Sequence, residues 1–174
     1  MSNHNTRRFP QFTKLLIAFS LLVTSARADW PAYRHDAERT GYTPEALPIK
    51  LGLQWERHTA KPKPAWPRSN RMTFDFAHQP IATGNMIWFG SSVDGAVHAL
   101  DAKTGHRKWM FYTQSPIRFA PVHWEGALYV GSDDGYLYCL DADTGKLRWK
   151  HRAGPSDEMV LGNGRMISRW PVRG

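Results

Sequence analysis

Residues 99–109 read A-L-D-A-K-T-G-H-R-K-W, and residues 139–149 read C-L-D-A-D-T-G-K-L-R-W. The repetition extends upstream. Residues 80–90 (P-I-A-T-G-N-M-I-W-F-G) align with residues 121–131 (P-V-H-W-E-G-A-L-Y-V-G), and Asp94-Gly95 aligns with Asp134-Gly135. The offset is 41 before the Asp-Gly pairs and 40 after them, so one copy carries an extra residue in a hairpin tip, where insertions are tolerated. A period of about 40 residues holding several short strands marks a propeller or another stacked-repeat architecture, since each unit must bury its face on a neighbour.

The unit divides into four strands by its turn residues. Runs of β-branched and aromatic residues bounded by Gly, Asp or Asn predict strands at 76–82, 86–90, 96–101 and 107–113, and again at 117–122, 127–131, 136–141 and 147–152. The wealth of aromatic residues, Gly and Pro agrees with an all-β chain. Residues 167–172 (I-S-R-W-P-V) resemble 117–122 (I-R-F-A-P-V) and predict the inner strand of a third unit. Upstream, residues 29–51 have turn formers and scattered aromatics without a sustained period, as in an irregular arm lying on the fold. Residues 51–58 (L-G-L-Q-W-E-R-H) alternate and read as an orphan outer strand carrying Trp55. The proline-spaced stretch 61–67 reads as a linker or extended edge.

The first 28 residues are set apart from this pattern. Arg7, Arg8 and Lys14 precede an apolar run at 15–23, and Ala26-Arg27-Ala28 forms a small-x-small site, which together predict a secretory signal peptide cleaved after Ala28. The apolar run is about half the roughly 20 residues of a membrane-spanning helix, so no transmembrane helix is expected after cleavage. Pro10 stands where a twin-arginine signal prefers an aromatic, which favours ordinary secretion. The domain reading is therefore a leader at 1–28, an arm at 29–69 and repeats at 70–174, with units at 70–113 and 114–154 and the start of a third at 165–174.

Charge and cysteine content limit the roles open to the mature part. The net charge of +8 includes four basic residues of the leader; the remainder holds 19 basic and 15 acidic residues. Such a modest surplus argues against a nucleic-acid partner, which an exported chain would rarely meet. The single cysteine, Cys139, occupies the position of Ala99 in the other copy and reads as a small core residue; alone, it forms no intramolecular disulfide.

The eleven-residue unit reads mechanically. Asp101 or Asp141 ends a strand, Thr104-Gly105 or Thr144-Gly145 makes a turn in which Gly is free to take positive φ, and Trp109 or Trp149 presents a large ring. The pattern A-x-D-x-x-T-G-x-x-x-W, preceded by Y/F-V/F-G-S-x-D-G, resembles the tryptophan-docking repeat of the pyrroloquinoline quinone (PQQ)-like β-propeller family. Ala99, Asp101, Thr104, Gly105 and Trp109 match in the first copy; Asp141, Thr144, Gly145, Lys146 and Trp149 match in the second, with Cys139 in place of Ala. Asp29-Trp30-Pro31 and the stretch from Thr40-Gly41 to Pro48 resemble the opening segments of secreted bacterial members. The resemblance implies a partial all-β propeller with two complete four-stranded antiparallel blades and flanking strands of incomplete ones. In it Trp55, Asp101, Thr104, Gly105, Trp109, Asp141, Thr144, Gly145 and Trp149 are blade-docking residues.

The family spans dehydrogenases that hold PQQ and Ca²⁺, outer-membrane assembly lipoproteins without a cofactor, and members of unknown role, so the fold does not name a function. The residues lean away from catalysis. Asp141-x-Asp143-x-Gly145 imitates a calcium loop but has Gly where another oxygen ligand is needed, and Lys103 replaces Asp143 in the other copy. No H-x-H, H-E-x-x-H or Cys/His cluster is present, so no metal site is expected. The dehydrogenases of the family commonly use an adjacent cysteine pair over the cofactor and ligands spread around a closed ring; this chain has one cysteine and two blades.

The reading is thus an exported, periplasmic or extracellular module that binds or scaffolds in the cell envelope, without catalytic, cofactor-binding or metal residues. Its partner is an envelope protein or the further blades of a longer chain. Because closed propellers have about four to eight blades, the chain is expected to be an N-terminal fragment of a longer propeller, with ring assembly by several copies as the alternative. The alternative function is a PQQ- and calcium-dependent quinoprotein dehydrogenase or an inactive fragment of one.

Overall fold

The computed structural model describes residues 29–62, 77–162 and 164–173. The leader at 1–28 and the start of the first repeat at 70–76 lie outside the described residues. Among those described, the chain is all-β and contains ten strands: β1 (Ile81–Thr83), β2 (Met86–Gly90), β3 (Ala96–Asp101), β4 (Arg107–Tyr112), β5 (Val122–Trp124), β6 (Ala127–Gly131), β7 (Tyr136–Asp141), β8 (Leu147–Arg152), β9 (Met159–Gly162) and β10 (Arg165–Ser168). No helix among them is long and apolar enough to cross a membrane.

Two antiparallel sheets run in the orders β1-β2-β3-β4 and β5-β6-β7-β8, and β9 pairs with β10 in a separate hairpin. The sheets are partial-propeller blades. Both shift register at the same place, between Ala99 and Leu100 and between Cys139 and Leu140. Such an irregularity bends a strand and strengthens its twist, and here it adjoins the Thr–Gly turn of each unit.

The inner strands are shorter than their sequence runs. The first begins at Ile81, after Pro80, and the second at Val122, after Pro121; proline has no N–H for a ladder. Residues 117–121 instead form the connector that carries the chain from the outer strand of one blade to the inner strand of the next. Ile117 N–H donates to the Ser91 carbonyl (3.3 Å), and its side chain lies against Gly90, where any added Cβ would stand 2.1 Å from Ile117 Cγ2.

The third unit corrects the sequence alignment. Residues 167–172 are not an inner strand: Arg165–Ser168 pairs with Met159–Gly162, and the chain then crosses blade 2. Val172 N–H donates to the Ser132 carbonyl (3.0 Å), and a Cβ on Gly131 would stand 2.9 Å from Val172 Cγ1. Pro171-Val172-Arg173 is therefore equivalent to Pro116-Ile117-Arg118, five residues earlier in the same connector than the match to Pro121. The β9–β10 hairpin is an insertion in that connector.

Residues 51–58 also differ from expectation. Among the described residues they join no ladder, and they meet blade 1 through side chains. Further upstream the arm does pair with the blades. Trp30 forms a two-bond bridge with Ala82 (2.6 and 3.0 Å), and the Pro31 carbonyl accepts from His123 N–H (2.8 Å). Two adjacent residues thus tie the inner edges of both blades together.

The core lies between the blades. Ile81, Met86, Trp88, Val97 and Ala99 of blade 1 cluster with Ile117, Leu128, Val130, Tyr138, Leu140 and Ala142. Cys139 is buried and reduced, as a small packing residue.

Candidate functional site: the blade-docking faces

Each Thr–Gly turn is built the same way. Asp101 Oδ1 accepts from the backbone N–H groups of Lys103 and Thr104 (3.0 Å each) and from the Thr104 hydroxyl (3.1 Å). Asp141 Oδ1 accepts from Thr144 N–H (3.0 Å) and its hydroxyl (2.7 Å). Gly105 and Gly145 donate their N–H to the Asp101 and Asp141 carbonyls at 2.8 Å and take φ of +68° and +70°, a region that favours glycine. Hydrogen bonds from Arg148 and Thr144 hold the Asp141 carboxyl well below the usual range. Desolvation pushes Asp101 up, but the Thr104 and Lys103 bonds outweigh it and leave it lowered.

The turn is a seat for an indole ring. A Cβ on Gly145 would lie 2.5 Å from Trp109 Cε3, and one on Gly105 would lie 2.6 Å from Trp55 Cε3. Each ring also donates its N–H to the residue after the aspartate: Trp109 to the Ala142 carbonyl (3.0 Å) and Trp55 to the Ala102 carbonyl (2.8 Å). The structure therefore brings Trp55 to Asp101, Thr104 and Gly105, and Trp109 to Asp141, Thr144 and Gly145. It brings Trp149 to neither seat; its ring neighbours Tyr129 of its own blade (6.0 Å between centroids).

These residues sort the blades into faces. By register, Ile81, Trp88, Ala99 and Trp109 stand side by side on blade 1, and this leading face meets blade 2. Trp88 donates to the Ala142 carbonyl (3.2 Å) and stacks on His123 (5.1 Å, 9°). The same register on blade 2 aligns Val122, Tyr129, Cys139 and Trp149, with Trp124 beside Ala127. Ile81, Trp88 and Ala99 are at most 2% exposed, whereas Val122 is 43%, Trp124 64% and Trp149 44% exposed. The leading face of blade 2 thus repeats the register that blade 1 buries, with Val122, Trp124 and Trp149 exposed and Cys139 buried between them.

On the opposite, connector side, Asp133 is a buried junction (1% exposed). Arg118 Nε donates to Oδ2 (2.5 Å), and Arg173 donates through Nε to Oδ1 (2.8 Å) and through Nη2 to Oδ2 (3.2 Å). Asp133 N–H donates to the Pro116 carbonyl, and its own carbonyl accepts from Ser168 N–H. Nothing in the sequence analysis singles out Asp133 for this role. The signal was the recurrence of Pro-Ile-Arg and Pro-Val-Arg at 116–118 and 171–173.

Comparisons with known proteins agree with this geometry. Residues 113–169 match a family model described as outer membrane protein assembly factor BamB. The sheets are PQQ-like β-propeller blades. No curated protein sequence matches the chain. Among solved structures, the quinohemoprotein alcohol dehydrogenase from Comamonas testosteroni is similar at a TM-score of 0.53 and 26% identity, over 72% of this chain and 19% of that one. BamB from Moraxella catarrhalis aligns at a TM-score of 0.39 and 24% identity, over 45% of this chain and 27% of that one. The PQQ-like blades described here thus span about a fifth of the length of the dehydrogenase and about a quarter of that of BamB.

A quinone cofactor held with Ca²⁺ needs several converging oxygen ligands. Among the described residues, no three His, Cys, Asp or Glu side chains stand close enough to share an ion. The buried carboxylate of Asp133 is already held by two guanidinium groups.

Proposed function

We propose that this chain is an exported, non-catalytic binding and scaffolding module of the cell envelope, and that it binds through the leading face of blade 2. The observation that carries this reading is the open face itself. Val122, Trp124 and Trp149 hold the register of Ile81, Thr83 and Trp109, and on blade 1 that register is a docking surface. Contiguous exposed apolar surface with aromatic side chains is the usual mark of an interaction site. The repeat residues Asp141 and Gly145 build the joint between the blades, and Asp101 and Gly105 seat Trp55 of the arm, as a scaffold requires.

The test is capture from envelope extracts with the immobilised mature chain. A partner retained by the wild-type chain and lost from the Trp124→Ala/Trp149→Ala variant supports the reading; equal retention by both overturns it. Export has its own test: secretion with leader removal yields a mature chain beginning at Asp29 in intact-mass measurement, and cytoplasmic retention of the full chain refutes it. A second reading, a quinoprotein dehydrogenase or a remnant of one, is favoured by the likeness to the Comamonas enzyme. Supplying PQQ and Ca²⁺ and finding neither retention of the quinone nor dye reduction with alcohols rejects it.

A further inference from the structure

A cavity of about 300 Å³ lies where three parts of the chain meet: the turn between β2 and β3, the connector that leaves β4, and strand β10. Its walls are residues 94–95, 113–116 and 165–166. The three parts are fastened to one another. Thr113 donates its N–H to the Gly95 carbonyl (2.8 Å) and sets its hydroxyl between the Gly95 and Ser115 carbonyls (2.9 and 2.7 Å). Ser115 donates its hydroxyl to the Met166 carbonyl (2.8 Å), and Arg165 Nη2 donates to the Val93 carbonyl (2.6 Å). A Cβ on Gly95 would stand 3.0 Å from the Ser115 carbonyl oxygen, so the floor is closely packed. The bonds that fix the floor also use up its hydroxyl groups.

Three side chains keep hydrogen-bonding capacity toward the space. Asp94 pairs with His98 (2.9 Å) yet stays 40% exposed. Burial pushes the Asp94 carboxyl up, but bonds from Ser91 and His98 outweigh it and leave it lowered. Burial also lowers the pKa of His98, against the pull of Asp94. Near neutral pH the imidazole is therefore uncharged, and the carboxylate keeps its negative charge. Arg165 gives one guanidinium nitrogen to Val93 and is otherwise exposed, and the Gln114 side-chain amide has no hydrogen bond among the described residues. Within the same set, Asp94 and Arg165 form no ion pair with each other.

We propose that this cavity binds a zwitterionic α-amino acid with an apolar side chain, its ammonium on Asp94, its carboxylate on Arg165 and Gln114, and its side chain against Met166 and Pro116. A carboxylate and a guanidinium that line one space without pairing present opposite charges that a zwitterion bridges, and a charge-assisted bond at each end is stronger than a neutral one. The volume stands at the lower end for ligand pockets, which suits so small a molecule. A plain amine or a plain acid satisfies one end only. The site is separate from the leading face of blade 2, so the two fail independently.

An amide-resolved NMR titration of the isotope-labelled full chain tests it, with leucine, isoamylamine (leucine without its carboxylate) and isocaproate (leucine without its ammonium). Leucine is expected to saturate with a Kd on the order of 1 mM or tighter and to shift the amides of Gly95, Gln114 and Met166. It is expected to bind about tenfold more tightly than either truncated ligand. Arg165→Gln should weaken leucine about tenfold and erase its advantage over isoamylamine, and Asp94→Asn should weaken it similarly and erase its advantage over isocaproate. Shifts that never saturate, shifts that fall elsewhere on the chain, a truncated ligand that binds as tightly as leucine, or variants that bind as the wild type does would each overturn the site. If Asp94→Asn loses the native amide spectrum, because Asp94 also accepts from Ala96 N–H in the turn, Arg165→Gln with isoamylamine decides alone. Capture of an envelope partner through Trp124 and Trp149 is untouched by either result.

Discussion

The leading faces of the two blades share one register, yet blade 1 buries its outer positions while blade 2 leaves Val122, Trp124 and Trp149 exposed around a buried Cys139. The residues differ little in kind: Ile81 against Val122, Trp88 against Tyr129, Ala99 against Cys139, Trp109 against Trp149. What differs is the Thr–Gly turn and the apolar strands set against them. Burial in a stacked repeat belongs to the neighbour as much as to the residue. The same indole is a structural pin on blade 1 and stands 44% exposed on blade 2.

The largest effect expected is at the junction that holds both connectors. Replacing Asp133 with Ala removes the carboxylate shared by two guanidinium groups in a buried site. Breaking such a group costs about 3 to 5 kcal/mol, read as a fall in the urea midpoint. Asp141→Ala, which disrupts the solvent-exposed Arg148 pair and the Thr144 bonds, should cost clearly less. Equal losses would show that the two carboxylates are not separated by burial as argued.

The next effect sets one blade face directly against the other. Trp109→Ala empties a seat inside the core and is expected to cost about 3 kcal/mol, near the lower end for deleting a large ring. Trp149→Ala removes a half-exposed ring that touches only its own blade and is expected to cost under about 1 kcal/mol. Urea titration of both variants checks the pair. A Trp149→Ala loss as large as that of Trp109→Ala would mean that the open face already carries stability without a partner.

Gly145→Ala probes the seat from the other side. A methyl group there meets Trp109 Cε3 at 2.5 Å and must hold φ near +70°. Overpacking together with the strained backbone should cost about 2 kcal/mol. Gly126→Ala, with a similar φ of +70° but its nearest neighbour the far end of Arg148 at 3.9 Å, isolates the backbone part at about 1 kcal/mol. The difference between the two is the contribution of the ring.

The turns were legible because they are local. Asp101, Thr104 and Gly105 bond to one another within five residues, so spacing alone predicts them, and their recurrence reveals the blade. Two features lay outside that reach. The β9–β10 hairpin interrupts the repeat at the connector, and aligning Pro171 with Pro121 passed over it. Asn163-Gly164 between apolar runs is a strong hairpin signal that competes with the likeness of 167–172 to an inner strand. The arm was read as an outer strand because 51–58 alternate, but alternation describes a side-chain pattern and does not supply a strand to pair with. Trp55 reached its expected turn through its ring, without a ladder. Which faces are open was invisible in the repeat, because equivalent residues carry the same letters whether covered or not.

The smallest effect expected is a pH dependence that separates the joint from the back of blade 1. Burial lowers the pKa of His123, which stacks on Trp88 inside the joint. Burial also lowers that of His98 against the opposing pull of Asp94, with Arg57 and Arg107 acting in the same direction as burial. For a histidine whose folded pKa is depressed, the unfolded chain takes up a proton first as pH falls through about 6.5, while the folded chain does not. Stability is therefore full above that pH and declines below it until the folded group also protonates. The lowered carboxylates Asp101 and Asp141 add their own loss at more acidic pH, as the pH falls from their unfolded values toward their folded ones. Urea midpoints measured from about pH 7.5 to about pH 5.5 should fall for the wild type and flatten in part in both His123→Gln and His98→Gln. If only His98→Gln flattens the profile, the joint is insensitive to protonation and the depressed histidine that matters sits behind blade 1. If only His123→Gln does, the joint itself weakens on acidification, because a charged imidazole is then forced against the ring of Trp88 in the core that the open face of blade 2 lacks.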